Sequence, residues 1–140
     1  MNGHPDLQWY YDYFNDVDTM QIDKMAAWLD DDVIVRFGNE PILRGKPAAL
    51  AGIAGLWEGF KSLHHAHGQV MSNGNYTSGE GAVTFVLQDG RSMTIPGITI
   101  LERRNGLVTR LSGYLDFAPL YAPVDSSIEV TEPAYFLTSN

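Results

Sequence analysis

Cysteine is absent from the 140 residues, so neither a disulfide framework nor thiolate chemistry is open to this chain. Basic residues are scarce: nine Lys and Arg stand against seventeen Asp and Glu, for a formal net charge of −8. Such a surface repels phosphate backbones, and Arg103-Arg104 is only a doublet, so nucleic acid is not an expected partner. No apolar run approaches the length of a membrane span. The N-terminus lacks a basic segment followed by an apolar one, so a cytoplasmic location without membrane contact is expected. No glycine-rich phosphate loop or strong metal motif is present, so no cofactor is implied.

What is present suits one domain with a sizeable core: 44% of the residues are hydrophobic. Leu7, Tyr10, Tyr11 and Phe14 recur at helical spacing, with Asp6 as a cap. Ile22, Met25, Ala26 and Leu29 repeat the pattern after Asp18 or Thr19 as cap. DVIVRFG then reads as a strand. A third helix starts at GKP, with Leu50, Ile53, Ala54 and Trp57 as its apolar face and small residues that allow close packing. The run Asp30-Asp31-Asp32 falls at the helix-to-strand junction, and one turn supplies too few oxygens for a hard cation.

The second half changes period. Asn73-Gly74, Asp89-Gly90 and Asn105-Gly106 are hairpin signals between strand-like segments near 63–72, 75–88, 91–104 and 107–116. Helices followed by a meander indicate an α+β fold. Pro96-Gly97 inside the third of these strands suggests a bulge. The domain is expected over residues 1–121. The segment 122–140, with its prolines and polar spacers, reads as an extended tail, whose Tyr135-Phe136-Leu137 patch either docks or frays.

Two-residue turns fix register. They would pair His67 with Glu80, Glu80 with Thr99, and Thr99 with Ser112. One sheet face then carries His65, His67, Glu80, Thr99, Ser112, Tyr114 and Asp116, and the other Val83, Phe85, Ile98, Ile100, Leu111 and Leu115. His65, His67 and Glu80 could form a small metal site, but an ordinary cross-strand His67–Glu80 pair is the better reading. Alternation leaves open whether the polar row meets solvent or the interior, since a bulge at Pro96 would exchange the two.

The order of elements, with WLDDDVIVRFG, ILRGKPA, DGRSMTIP and NGLVTRLSGYLDFAPLY, resembles the SnoaL-like group of the nuclear-transport-factor-two-like superfamily over residues 7 to 121. That resemblance implies a cone: N-terminal helices on a strongly bent, mostly antiparallel sheet, an enclosed apolar pocket, and homodimers through the open sheet face. Relatives in this superfamily run several chemistries. The positions resembling those of ketosteroid isomerase read Tyr11, Phe37 and Ile98, so two of its three catalytic groups are missing. Those resembling limonene-epoxide hydrolase read Glu80, Ala82, Gly113, Val35 and Phe37, which lack its charged set. Scytalone dehydratase has a strand histidine close to His65, but its pocket tyrosines fall on Phe14 and Phe37. The polyketide cyclases of the group use an Asp near the end of the last strand, nearest to Asp116.

In such a pocket Asp116 is the expected acid/base, His65 its partner, and Tyr11 or Tyr114 the oxyanion donor. The expected pocket wall is Phe14, Val35, Phe37, Trp57, Glu80, Ile98, Leu111 and Tyr114. An aromatic, apolar wall suits a small ring-containing molecule. Cofactor-free proton transfer beside a carbonyl, as in cyclisation, isomerisation or dehydration, is the expected chemistry. Each residue has a plainer reading: Asp116 as a strand-end anchor, His65 as a surface histidine, Tyr11 and Trp57 as core. A non-catalytic binding or dimeric interaction domain is the competing function.

Overall fold

A computed structural model describes residues 7–121. The Asp6 cap and the 122–140 tail, with Tyr135, Phe136 and Leu137, lie outside the described residues. Four helices and six strands follow in the order α1 Gln8–Asp18, α2 Ile22–Trp28, β1 Leu29–Phe37, β2 Leu43–Arg44, α3 Lys46–Trp57, β3 Phe60–Asn73, β4 Tyr76–Leu87, β5 Ser92–Arg104, β6 Leu107–Leu115 and α4 Ala118–Tyr121. The strands form one open mixed sheet in the order β2-β1-β6-β5-β4-β3. Only the β1–β6 pair is parallel. This is the α+β cone expected from the resemblance, with the first three helices against the sheet's inner face.

Helical spacing buries Tyr10, Tyr13, Phe14 and Val17 of α1 on the core, while Tyr11 stays half-buried. The cap expected for α2 is corrected: Gln21 precedes the helix, and Asp18 is the last residue of α1. In α3, Ala49, Ile53 and Trp57 are the buried positions. Gly52 lets α3 lie against Leu43, since a Cβ there would fall 2.5 Å from Leu43 Cδ1. Asp31 and Asp32 are exposed at the start of β1, and Asp30 Oδ1 accepts the Asp32 N–H at 2.9 Å.

Register is where the structure departs from expectation. The first hairpin turns at Gly74-Asn75, pairing Asn73 with Tyr76, and the register shifts again between His67 and Val70. His67 therefore faces Gly81, not Glu80. The second loop spans three residues, Gln88 to Gly90, with Val86 opposite Ser92. Glu80 consequently pairs with Ile98. The third hairpin turns at Asn105-Gly106 as expected, but a shift beyond Arg103 puts Thr99 opposite Gly113. No shift occurs at Pro96, which lies one residue past the end of the β5–β6 ladder, where its missing N–H costs nothing on that side.

The expected polar row is thereby divided. His65, His67 and Thr99 share the inner face with Val83, Phe85 and Leu111. Glu80, Ser112 and Tyr114 share the outer face with Ile98 and Ile100, and Asp116 lies beyond the end of β6. The inner face also carries Gly79, Gly81, Gly97 and Gly113 side by side. A Cβ at Gly81 would lie 2.4 Å from the Ala66 carbonyl oxygen, which only main-chain movement could relieve. By contrast nothing lies within 4 Å of a Cβ at Gly55 in α3. Urea unfolding is expected to show opposite signs: Gly81→Ala destabilises by about 2 kcal/mol through backbone displacement, and Gly55→Ala stabilises by about 0.5 to 1 kcal/mol through helix propensity.

Candidate functional site

Between α1, α3 and the bent sheet lies a cavity of about 110 Å³. Its wall is mostly aromatic and aliphatic, with polar groups gathered where α1 crosses β3. Tyr10, Phe14 and Asp18 recur every fourth residue, so one face of α1 carries a phenol, a phenyl and a carboxylate down onto β3. His65 and His67, two apart on a strand, both point back at that face.

Asp18 grips His65 twice. Its Oδ2 accepts the His65 backbone N–H at 3.0 Å, and its Oδ1 lies 2.6 Å from His65 Nδ1. A carboxylate can only accept, so Nδ1 carries the proton and Nε2 is the unprotonated nitrogen of a residue that borders the cavity. Both side chains are largely enclosed, at 18% and 21% exposure. Phe14 lies against the His65 ring at 4.5 Å between centroids, fixing its plane. His64 points away, is 71% exposed, and reaches Asp18 only at 3.8 Å.

His67 is enclosed more deeply. Its ring meets Tyr10 at 5.7 Å, Tyr11 at 5.1 Å and Phe14 at 5.3 Å between centroids. Burial, aided by the neighbouring His65, lowers its pKa from 6.5 to about 4, so it is neutral at pH 7. Burial likewise pushes the Tyr10 and Tyr13 phenols far above their usual range, and both stay protonated. The Tyr10 hydroxyl rests over Gly79, where any side chain would collide with it. No fully buried side-chain nitrogen or oxygen among the described residues lacks a partner. Tyr10 and His67 both border the cavity.

The residues expected from sequence are distributed unevenly. His65, Phe14, Phe37 and Trp57 border the cavity. Ile98 borders it through the bare stretch beside Gly97, with its side chain outside and 45% exposed. Val35 is fully buried in the core but does not reach the cavity, and Tyr10 stands where Tyr11 was expected. Glu80 and Tyr114 are exposed on the outer face, so no His65–His67–Glu80 triad is assembled. Asp116 lies beyond the end of β6, accepts the Ala118 N–H at 2.9 Å, and borders an outer groove with Tyr114. Sequence reading missed Asp18 as a site residue. The available signal was a carboxylate four residues after Phe14 on an otherwise apolar stripe.

His67 gives the fold a pH signature. The unfolded chain takes up its proton near pH 6.5 and the native state only near pH 4. Its contribution to stability is therefore constant above pH 6.5 and shrinks as the pH falls toward 4. The loss is on the order of 2 kcal/mol after allowance for solvent at the ring. Urea melts from pH 4 to 8 are expected to show that slope in the native chain and to lose this component in His67→Phe.

The profile of the SnoaL-like domain matches residues 8–111. No curated protein matches the sequence. Solved structures with the same fold include a candidate SnoaL-like polyketide cyclase from Jannaschia sp. CCS1, at 19% identity and TM-score 0.70, covering 80% of this chain and 85% of that one. TerC, co-crystallised with polyporic acid, has 14% identity and TM-score 0.71, with 84% and 95% covered. An LEH-like epoxide hydrolase from M. tuberculosis has 15% identity and TM-score 0.66, with 78% and 80% covered. At such identities these likenesses carry the fold alone, while the domain profile, spanning most of the chain and the whole Asp18–His65–His67 cluster, carries the lineage: the chain belongs to the SnoaL-like domain family.

Proposed function

We propose that this chain is a cofactor-independent acid/base enzyme acting on a small apolar carbonyl compound, with His65 as the base and Asp18 as its orienting partner. The carrying observation is the 2.6 Å contact between Asp18 and His65 Nδ1 at the wall of an apolar cavity. Asp18 holds the tautomer whose Nε2 accepts a proton and stabilises the imidazolium that results. His65 takes a proton from the carbon beside the carbonyl, and the electron pair moves onto the carbonyl oxygen. The Tyr10 hydroxyl and the neutral His67 ring supply hydrogen bonds to that oxygen, which strengthen as charge develops on it. The enolate then collapses by one of three routes: reprotonation at another carbon, expulsion of a β-hydroxyl as water, or attack on a second carbonyl. Isomerisation, dehydration and cyclisation differ only in that second step. Asp116 and Tyr114, expected in these roles, lie away from this cavity, on the outer groove.

Proton exchange tests this without the natural substrate. In D₂O, wild type is expected to speed deuterium incorporation beside the carbonyl of cyclohex-2-enone, read by NMR. His65→Gln should lower that rate about 100-fold or more, and Asp18→Asn about 10- to 100-fold. Equal rates in all three proteins would remove the base assignment and leave the binding-domain reading.

That second reading has its own support on the outer sheet face. Ile34, Tyr76, Ile98 and Tyr114 are each 39% to 45% exposed there. Such a row on an open sheet suits a second copy of this chain, as dimers of the superfamily would have it. Light scattering is expected to give twice the chain mass, reduced to the single mass by the double substitution Ile98→Asp with Tyr114→Asp. A single mass for wild type would end the dimer proposal.

A further inference from the structure

The charge and size of the cavity restrict its occupant more tightly than the apolar wall alone. Among the described residues no Lys or Arg borders it, and the ionisable groups that do are His65, His67, Tyr10 and Tyr13. The carboxylate of Asp18 stands behind His65. An anionic ligand would give up its water for no counter-charge and would approach a like one. Carboxylates and phosphate-bearing thioesters are poor fits for the cavity.

Size is the second restriction. At about 110 Å³ the cavity is of the order that takes one aromatic ring, since an engineered apolar cavity of about 150 Å³ binds benzene. Polarity is the third. The Tyr10 hydroxyl, His65 and His67 cluster at the α1–β3 end, and the opposite end is hydrocarbon, with Phe37, Trp57 and Phe85. A fitting molecule has one polar end and one greasy end. Gly79 fixes where the polar end goes, because the space its missing side chain leaves is where the Tyr10 hydroxyl sits.

Building on the reading of this cavity as the reacting site, we infer that it selects an uncharged single-ring compound with one oxygen function, a cyclic enone or its enol, whose oxygen is placed by the Tyr10 hydroxyl over Gly79. Phenol is a stable enol of this shape and serves as the probe. Titrations followed by the amide shifts of Gly79 and Gly97 should show saturable binding of phenol. Benzoate should bind about tenfold more weakly or worse, and the tricyclic anthrone should leave these amides unmoved. Tyr10→Phe should weaken phenol about fivefold or more while leaving benzene unchanged. Gly79→Ala should act in the same direction, and if it unfolds, Tyr10→Phe carries the test alone.

Benzoate or anthrone binding as tightly as phenol would overturn the inference. So would Tyr10→Phe weakening phenol and benzene alike, or weakening neither. The phenol pattern does not need the base. If it holds while deuterium exchange fails, the His65 assignment falls and the selectivity stands. If exchange is as expected and the phenol pattern fails, the base stands and the selectivity falls.

Discussion

Asp18 accepts two hydrogen bonds from one residue, the main-chain N–H and the imidazole Nδ1 of His65. That double grip joins the last turn of α1 to the middle of β3. It therefore sets the depth at which α1 lies over the sheet and, with it, the positions of Tyr10 and Phe14 upstream. Charge-assisted bonds of this kind are shorter and stronger than neutral ones, and partial enclosure keeps water from competing. The same carboxylate decides which imidazole nitrogen is basic. One side chain is thus both a clasp in the fold and a chemical setting in the site.

The cavity depends on a second constraint, the lack of side chains on part of the sheet. A bent sheet covered by Val and Ile would fill the space beneath α1. Here Gly81 and Gly97 in one row, and Gly79 and Gly113 on either side of Thr99 in the next, expose bare backbone instead. The glycines do two jobs at once. At Gly81 and Gly97 neighbouring main chain comes too close for a Cβ, and at Gly79 the space is taken by the Tyr10 phenol. Curvature and void arise from the same residues.

Much of this was legible in the sequence. The helices, the strand run, the three turns and the family resemblance led to the α+β cone, because periodicity and turn chemistry are local. His65, Phe14, Phe37 and Trp57 were named and do border the cavity. The faces of the sheet were not legible. The first turn sits one residue later than expected, the second loop has one residue more, and shifts fall near Gly68 and Thr109. In an alternating structure an odd step exchanges inside and outside, as the longer second loop and the two shifts do, so Glu80 and Asp116 were grouped with the inward histidines. Asp18 was missed because it was read as a cap, a local role that suits any Asp between two helices. Its real partner is 47 residues away.

The bare stretch at Gly97 makes the protein thin. With no side chain inward and Ile98 turned outward, a single layer of peptide divides the cavity from the outer surface. Outside and inside are neighbours there, separated by a wall rather than by a core. Whatever presses on the sheet from without at Ile98 bears on the floor of the cavity, and the exterior of this molecule is, at that spot, the back of its interior.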